Sequence, residues 1–92
     1  MAQSVTQRLV AAIDTDWIEE QAWRMLEIPS VTMDEAEVCA LFEGQMRDLG
    51  LDVDVRPVDD EGRNNLYARI AGQGTGPTLH LNGHLDTIPL GD

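Results

Sequence analysis

A chain of 92 residues holds one small domain at most, because chains this short bury only a modest share of their surface. Seventeen Asp and Glu against six Arg and no Lys give a net charge of −11, a field that repels nucleic acid and anionic membranes and argues against either as a partner. A hydrophobic content of 42% fits a folded segment, the single cysteine Cys39 excludes an intrachain disulfide, and the early apolar run 9–13 is too short for a secretory leader or a membrane span, so a cytoplasmic protein is expected.

The first elements are helical. Ser4 with Gln7 has the form of a capping box, and Asp16 with Glu19 repeats it, so either one helix runs over about 5–27 or it breaks near Asp14. Leu9, Ile13, Ala22, Met25 and Leu26 form its expected buried stripe, and Pro29 stops it. Trp17 and Trp23, six apart, cannot share one helical stripe, so at least one is expected to be partly exposed. Thr32 and Glu35 make a third capping box before Val38, Leu41, Phe42, Gln45, Met46 and Leu49, which recur at helical spacing. Asp34, Glu35 and Glu37 then fall in a first turn, where carboxylates complement the helix dipole. Gly50 sits where a left-handed cap is needed, and Cys39, on the apolar side near Phe42, reads as a buried inert thiol.

Strands follow. Leu51, Val53 and Val55 alternate with Asp52, Asp54 and Arg56, the period of a strand with one wet face, and Pro57 marks an edge or an end. A polar turn over 59–64 leads to Leu66, Ala68 and Ile70 alternating with Tyr67 and Arg69. After the glycine-rich loop 72–77, Thr78 to Asn82 reads as a third strand with Leu79 and Leu81 on one face. The short link between the second and third strands predicts antiparallel pairing. The fold class is therefore α/β: two helices followed by a three-stranded mixed or antiparallel sheet.

The chemistry lies in Asn82-Gly83-His84-Leu85-Asp86-Thr87, where the third strand should run out into a loop. Residues two apart in extended chain point the same way, so the Asp86 carboxylate can hold one nitrogen of the His84 ring and leave the other for a metal. A bare His-x-Asp is more often a surface histidine beside a loop aspartate, and three residues alone prove nothing. His80 makes a poor second ligand, because four residues of strand span roughly 13 Å, and it reads as structural. The helical zinc motif would also need Glu where Leu81 stands. The glycines at 72, 74 and 76 lead into a strand instead of a helix, which weakens a nucleotide-binding reading.

The chain resembles the co-catalytic zinc hydrolase family of aminoacylase, acetylornithine deacetylase, succinyl-diaminopimelate desuccinylase and carboxypeptidase G. The resemblance is carried by Ile28-Pro29-Ser30-Val31-Thr32 and Gly50, then by Arg63-x-Asn65-Leu66 and Gly76-Pro77-Thr78. It closes with Asn82-Gly83-His84-Leu85-Asp86-Thr87-Ile88-Pro89-Leu90-Gly91-Asp92. It implies that the chain is a partial copy of the family's catalytic domain. His84 would then be a ligand to one of two zinc ions, with cobalt or manganese able to replace them, and Asp86 the catalytic carboxylate that orients it. It further implies amide hydrolysis of N-acyl amino acids or small peptides, in which metal lowers the pKa of a bridging water, a glutamate takes its proton and the hydroxide attacks the carbonyl. The family's bridging aspartate, glutamate base, remaining ligands and its lid or dimerisation domain have no counterpart in residues 1–92. The expectation is an N-terminal fragment of a hydrolase, inactive alone, whose intact form the resemblance allows to be a homodimer. The competing expectation is a non-catalytic truncated product or binding module.

Overall fold

A computed structural model describes residues 2–89; the Leu90-Gly91-Asp92 end of the last motif lies outside the described residues. Three helices precede a two-stranded sheet: α1 Val5–Ala11, α2 Thr15–Leu26, α3 Ala36–Asp48, β1 Asp52–Pro57 and β2 Asn64–Arg69. The Ser4 box forms as read, with Ser4 Oγ accepting from the Gln7 amide at 3.1 Å and Gln7 Oε1 accepting from the Ser4 amide at 2.8 Å. The helical run does break near Asp14, which caps α2 by accepting from the Trp17 amide at 3.0 Å, two residues earlier than the Asp16 cap expected.

The Thr32 box does not form. The residue before α3 is Glu35, with no side-chain cap, because both members of the expected pair are engaged with partners distant in sequence. α3 ends as the glycine signal predicts. Gly50 adopts φ +80°, its amide donates to Arg47 O at 2.9 Å, and the Leu51 amide donates to Met46 O at 3.2 Å, the paired bonds of a Schellman ending.

β1 and β2 pair antiparallel, with Asp52 opposite Arg69 and Val55 opposite Leu66. Val53, Val55 and Leu66 are half-buried on the α3 side while Asp52 and Asp54 face water, as the alternation predicts; Ala68 and Ile70, expected on the same face as Leu66, are exposed, and Ile70 lies beyond the end of β2. On the wet face the Arg56 guanidinium lies 4.4 Å from the centroid of the Tyr67 ring. In the turn, Gly62 takes φ +84° and Asp59 Oδ1 accepts from the Glu61 amide at 2.9 Å.

The expected third strand is absent among the described residues. Residues 77–82 have no assigned secondary structure and no ladder partner, and Leu79 and Leu81 are more than four-fifths exposed. Alternation fixes which side chains share a face; a strand exists only when a neighbour meets its amides and carbonyls. The sheet is therefore two-stranded.

The core is α3: Val38, Cys39 and Met46 are buried, and the Cys39 thiol donates to Asn64 O at 3.4 Å. Buried Gln45 ties α3 to α2, donating to Gln21 Oε1 at 2.9 Å and Gln21 O at 3.3 Å. The expected stripe on α1 and α2 is not buried: Leu9, Ile13, Ala22 and Leu26 are exposed and only Met25 is half-covered. Trp17 is half-buried and Trp23 exposed. No helix among the described residues is long and apolar enough to cross a membrane.

Candidate functional site

Two segments far apart in sequence meet beside His84. The first, residues 28–34, leaves α2 and turns sharply. The Asp34 amide donates to Val31 O at 2.8 Å, and Met33 is forced to φ +81°, the one non-glycine residue in that region among those described. The second, residues 84–87, lies alongside. Val31 and Thr87 form a parallel bridge, the Thr87 amide donates to Ser30 O at 2.8 Å, and the Ser30 and Thr87 hydroxyls are 3.3 Å apart. Ser30 is buried, so this stitch is the covered part of the site.

On that stitch stands Asp86, whose two carboxylate oxygens have different partners. Oδ1 lies 2.8 Å from His84 Nδ1, and Oδ2 accepts from the Thr32 hydroxyl at 2.6 Å. The Asp86 carbonyl oxygen is also 3.1 Å from Nδ1. Both neighbours of Nδ1 are acceptors, so Nδ1 carries the proton, and in the neutral ring Nε2 is left with the lone pair. The His84 side chain is 83% exposed and Asp86 34%, and Nε2 has no hydrogen bond among the described residues. The Thr32 hydroxyl, and after it the His84 ring, hold the Asp86 carboxyl below the ordinary carboxylate value, as donors aimed at the charged form must.

A second polar group supports the turn. Glu35 accepts from the Met33 amide at 2.9 Å and from Arg63 Nε at 2.7 Å, while Arg63 Nη1 donates to Asp59 at 3.1 Å. The Met33 amide, then the Arg63 guanidinium, lower the Glu35 carboxyl; the Glu61 amide, then Arg63, lower that of Asp59. Glu35 is thus a brace between the turn and the hairpin and not the dipole partner expected of it.

The structure therefore places His84 and Asp86 in hydrogen-bond contact. It leaves His80 exposed, with none of the packing a structural histidine would show. Among the described residues no group of three or more His, Cys, Asp and Glu stands close enough to hold a metal ion, so His84 presents one donor of the kind a zinc site uses and the full set is not here. Thr32 went unrecognised as a partner of Asp86. Its place beside Ser30 and Val31 in a motif carrying the resemblance was the available signal, but the local capping pattern competed with it.

Sequence comparison finds relatives over part of the chain. The chain is 38% identical over 68 residues to a succinyl-diaminopimelate desuccinylase of Cereibacter sphaeroides, a match covering 74% of this chain and 17% of that protein. Over 64 residues it is 42% identical to the enzyme of that name from Leptothrix cholodnii, covering 67% of this chain and 17% of the relative. It is also 30% identical over 76 residues to the uncharacterized protein YqjE of Bacillus subtilis, covering 79% of this chain and 20% of the relative. The chain thus spans about a fifth or less of the length of the curated relatives it matches. No family model matches it. No solved structure matches it either.

Proposed function

We propose that this chain supplies the His84 arm of the metal site of a zinc-dependent amide hydrolase of the aminoacylase and desuccinylase family. Its substrates would be N-acyl amino acids or small peptides, N-succinyl compounds among them. One observation carries the reading: an exposed imidazole whose Nδ1 is held by a carboxylate, leaving Nε2 free of protein partners among the described residues, in a chain similar over part of its length to desuccinylases. That is the arrangement by which a histidine ligand is oriented and its basicity raised. Zinc, when bound, supplies Lewis-acid polarisation and a more acidic coordinated water; cobalt or manganese can do the same. Asp86 fixes the ring, and the Ser30–Thr87 stitch fixes Asp86. No group of three donors forms among the described residues, so under this reading the remaining ligands and the general base would have to be supplied from elsewhere.

Zinc titration of the 92-residue chain, followed through the ¹⁵N resonances of the His84 ring, tests the metal reading. A zinc-dependent shift at Nε2 that is lost in His84→Ala supports it, and an unmoved Nε2 at saturating zinc removes it. For the activity, hydrolysis of N-succinyl and N-acetyl amino acids by a longer polypeptide containing this segment should vanish in His84→Ala.

A further inference from the structure

We propose that Thr32 is a positioning residue for the His84 imidazole, acting through Asp86; the assignment rests on the reading of His84 as a metal-binding arm. A carboxylate held through one oxygen is free to swing, because its terminal torsion has only broad, two-fold preferences. Here the second oxygen is tied as well, by the Thr32 hydroxyl at 2.6 Å, within the range of a charge-assisted O–H···O⁻ bond. With both oxygens committed, the plane of the carboxylate is set, and so is the direction from which it meets Nδ1 of His84 at 2.8 Å.

Thr32 is suited to this task because it is held on three sides. Its β-branched side chain has few χ1 choices. Its neighbour Val31 is bridged to Thr87, the residue after Asp86, so the backbones carrying hydroxyl and carboxylate are fixed to each other. Beyond it, Met33 stands at φ +81°, and the Met33 amide is held by Glu35, itself held by Arg63. A continuous series of contacts therefore runs from Arg63 through Glu35 and the strained turn to Thr32, Asp86 and the ring. Sequence pattern assigned Thr32 to a helix cap; the hydroxyl is instead turned to a residue 54 positions away. Strain maintained at such a turn is the kind of feature that accompanies a functional constraint.

The test is the tautomer of the His84 ring, read from ¹⁵N shifts of the 92-residue chain, with Thr32→Val and Thr32→Ser compared and amide spectra confirming the fold. In the native chain the Nδ1–H form should dominate. Thr32→Val, which keeps the shape and removes the donor, should lower the ratio of Nδ1–H to Nε2–H about two- to tenfold, the weight of one hydrogen bond. Thr32→Ser should restore it, whereas a purely structural role would leave the ratio unmoved in both. A folded Thr32→Val chain with the native ratio overturns the proposal. Three-bond couplings in the native chain that show Thr32 averaging among χ1 rotamers also overturn it, even if Thr32→Val does not fold. Zinc response at Nε2 is recorded on the same samples, so the failures separate: an unmoved Nε2 removes the metal reading while a Thr32-dependent tautomer stands, and the converse result removes Thr32 alone.

Discussion

Met33 holds φ +81°, a region that side chains other than glycine occupy at a cost of about 1–2 kcal/mol. Glycine there removes the clash but adds roughly 0.5–1 kcal/mol of freedom to the unfolded chain. Met33→Gly is therefore expected to raise stability by up to about 1 kcal/mol, and the β-branched Met33→Val to lower it by about as much, measured as urea midpoints. A clear loss in Met33→Gly would mean that the methionine side chain itself contributes packing. Gly62 gives the opposite case: it stands at φ +84°, and an added Cβ would sit 3.2 Å from Ala36 Cβ, so Gly62→Ala should destabilise by about 1–2 kcal/mol. At this scale, what was legible was local. Ser4 and Gln7 satisfy each other three residues apart, as their pattern says. Thr32 and Glu35 carry the same pattern, yet their partners Asp86 and Arg63 lie 54 and 28 residues away, where spacing holds no information.

Among elements, the contact most open to test is the Glu35–Arg63–Asp59 group, which ties the start of α3 to the turn between β1 and β2. Both carboxyls are held below their ordinary values of 4.5 and 3.8, so over that range the folded chain binds fewer protons than the unfolded one. The stability they contribute is complete above about pH 4.5 and is lost as pH falls through the depressed folded values. The thermal midpoint should drop as pH is lowered from 5 to 3, and Arg63→Met should flatten that dependence in part, because the Met33 and Glu61 amides still hold the two carboxyls; an equal drop in the variant would assign the acid sensitivity to those amides or to other carboxyls and not to Arg63. The hairpin itself was legible, because alternation in β1 and β2 and the polar turn between them are properties of contiguous residues. The third strand was not, since Thr78 to Asn82 carries the alternation without a neighbour to complete the ladder. The pairing that does form, Val31 with Thr87, is a single parallel bridge with no periodic signature in either segment.

Across the whole molecule, little is fully covered. The radius of gyration is 16.2 Å, against about 12 Å for a compact chain of this length, and the extents are 55 × 31 × 19 Å. Helical period marked an apolar stripe on α1 and α2 for burial, but a stripe is buried only if something lies over it, and Leu9 and Leu26 remain about two-thirds exposed. Burial of apolar surface is what opposes chain entropy, so a core of Val38, Cys39 and Met46 with a half-covered hairpin should fall short of the stability of an ordinary domain. Typical values of about 0.05–0.15 kcal/mol per residue would give roughly 5–14 kcal/mol here, and the 92-residue chain is expected to lie below about 5 kcal/mol by urea unfolding. On that margin Val38→Ala, which removes two methyl groups from the most buried side chain and leaves a cavity, should cost about 2 kcal/mol and unfold a measurable fraction of the chain without denaturant. The conserved-volume change Val38→Thr should also destabilise, because it buries a hydroxyl, whereas Leu81→Ser on the exposed segment should not. If Val38→Ala and Leu81→Ser prove equally harmless, the centre of this fold does not lie on α3; a steep loss confined to position 38 places it there.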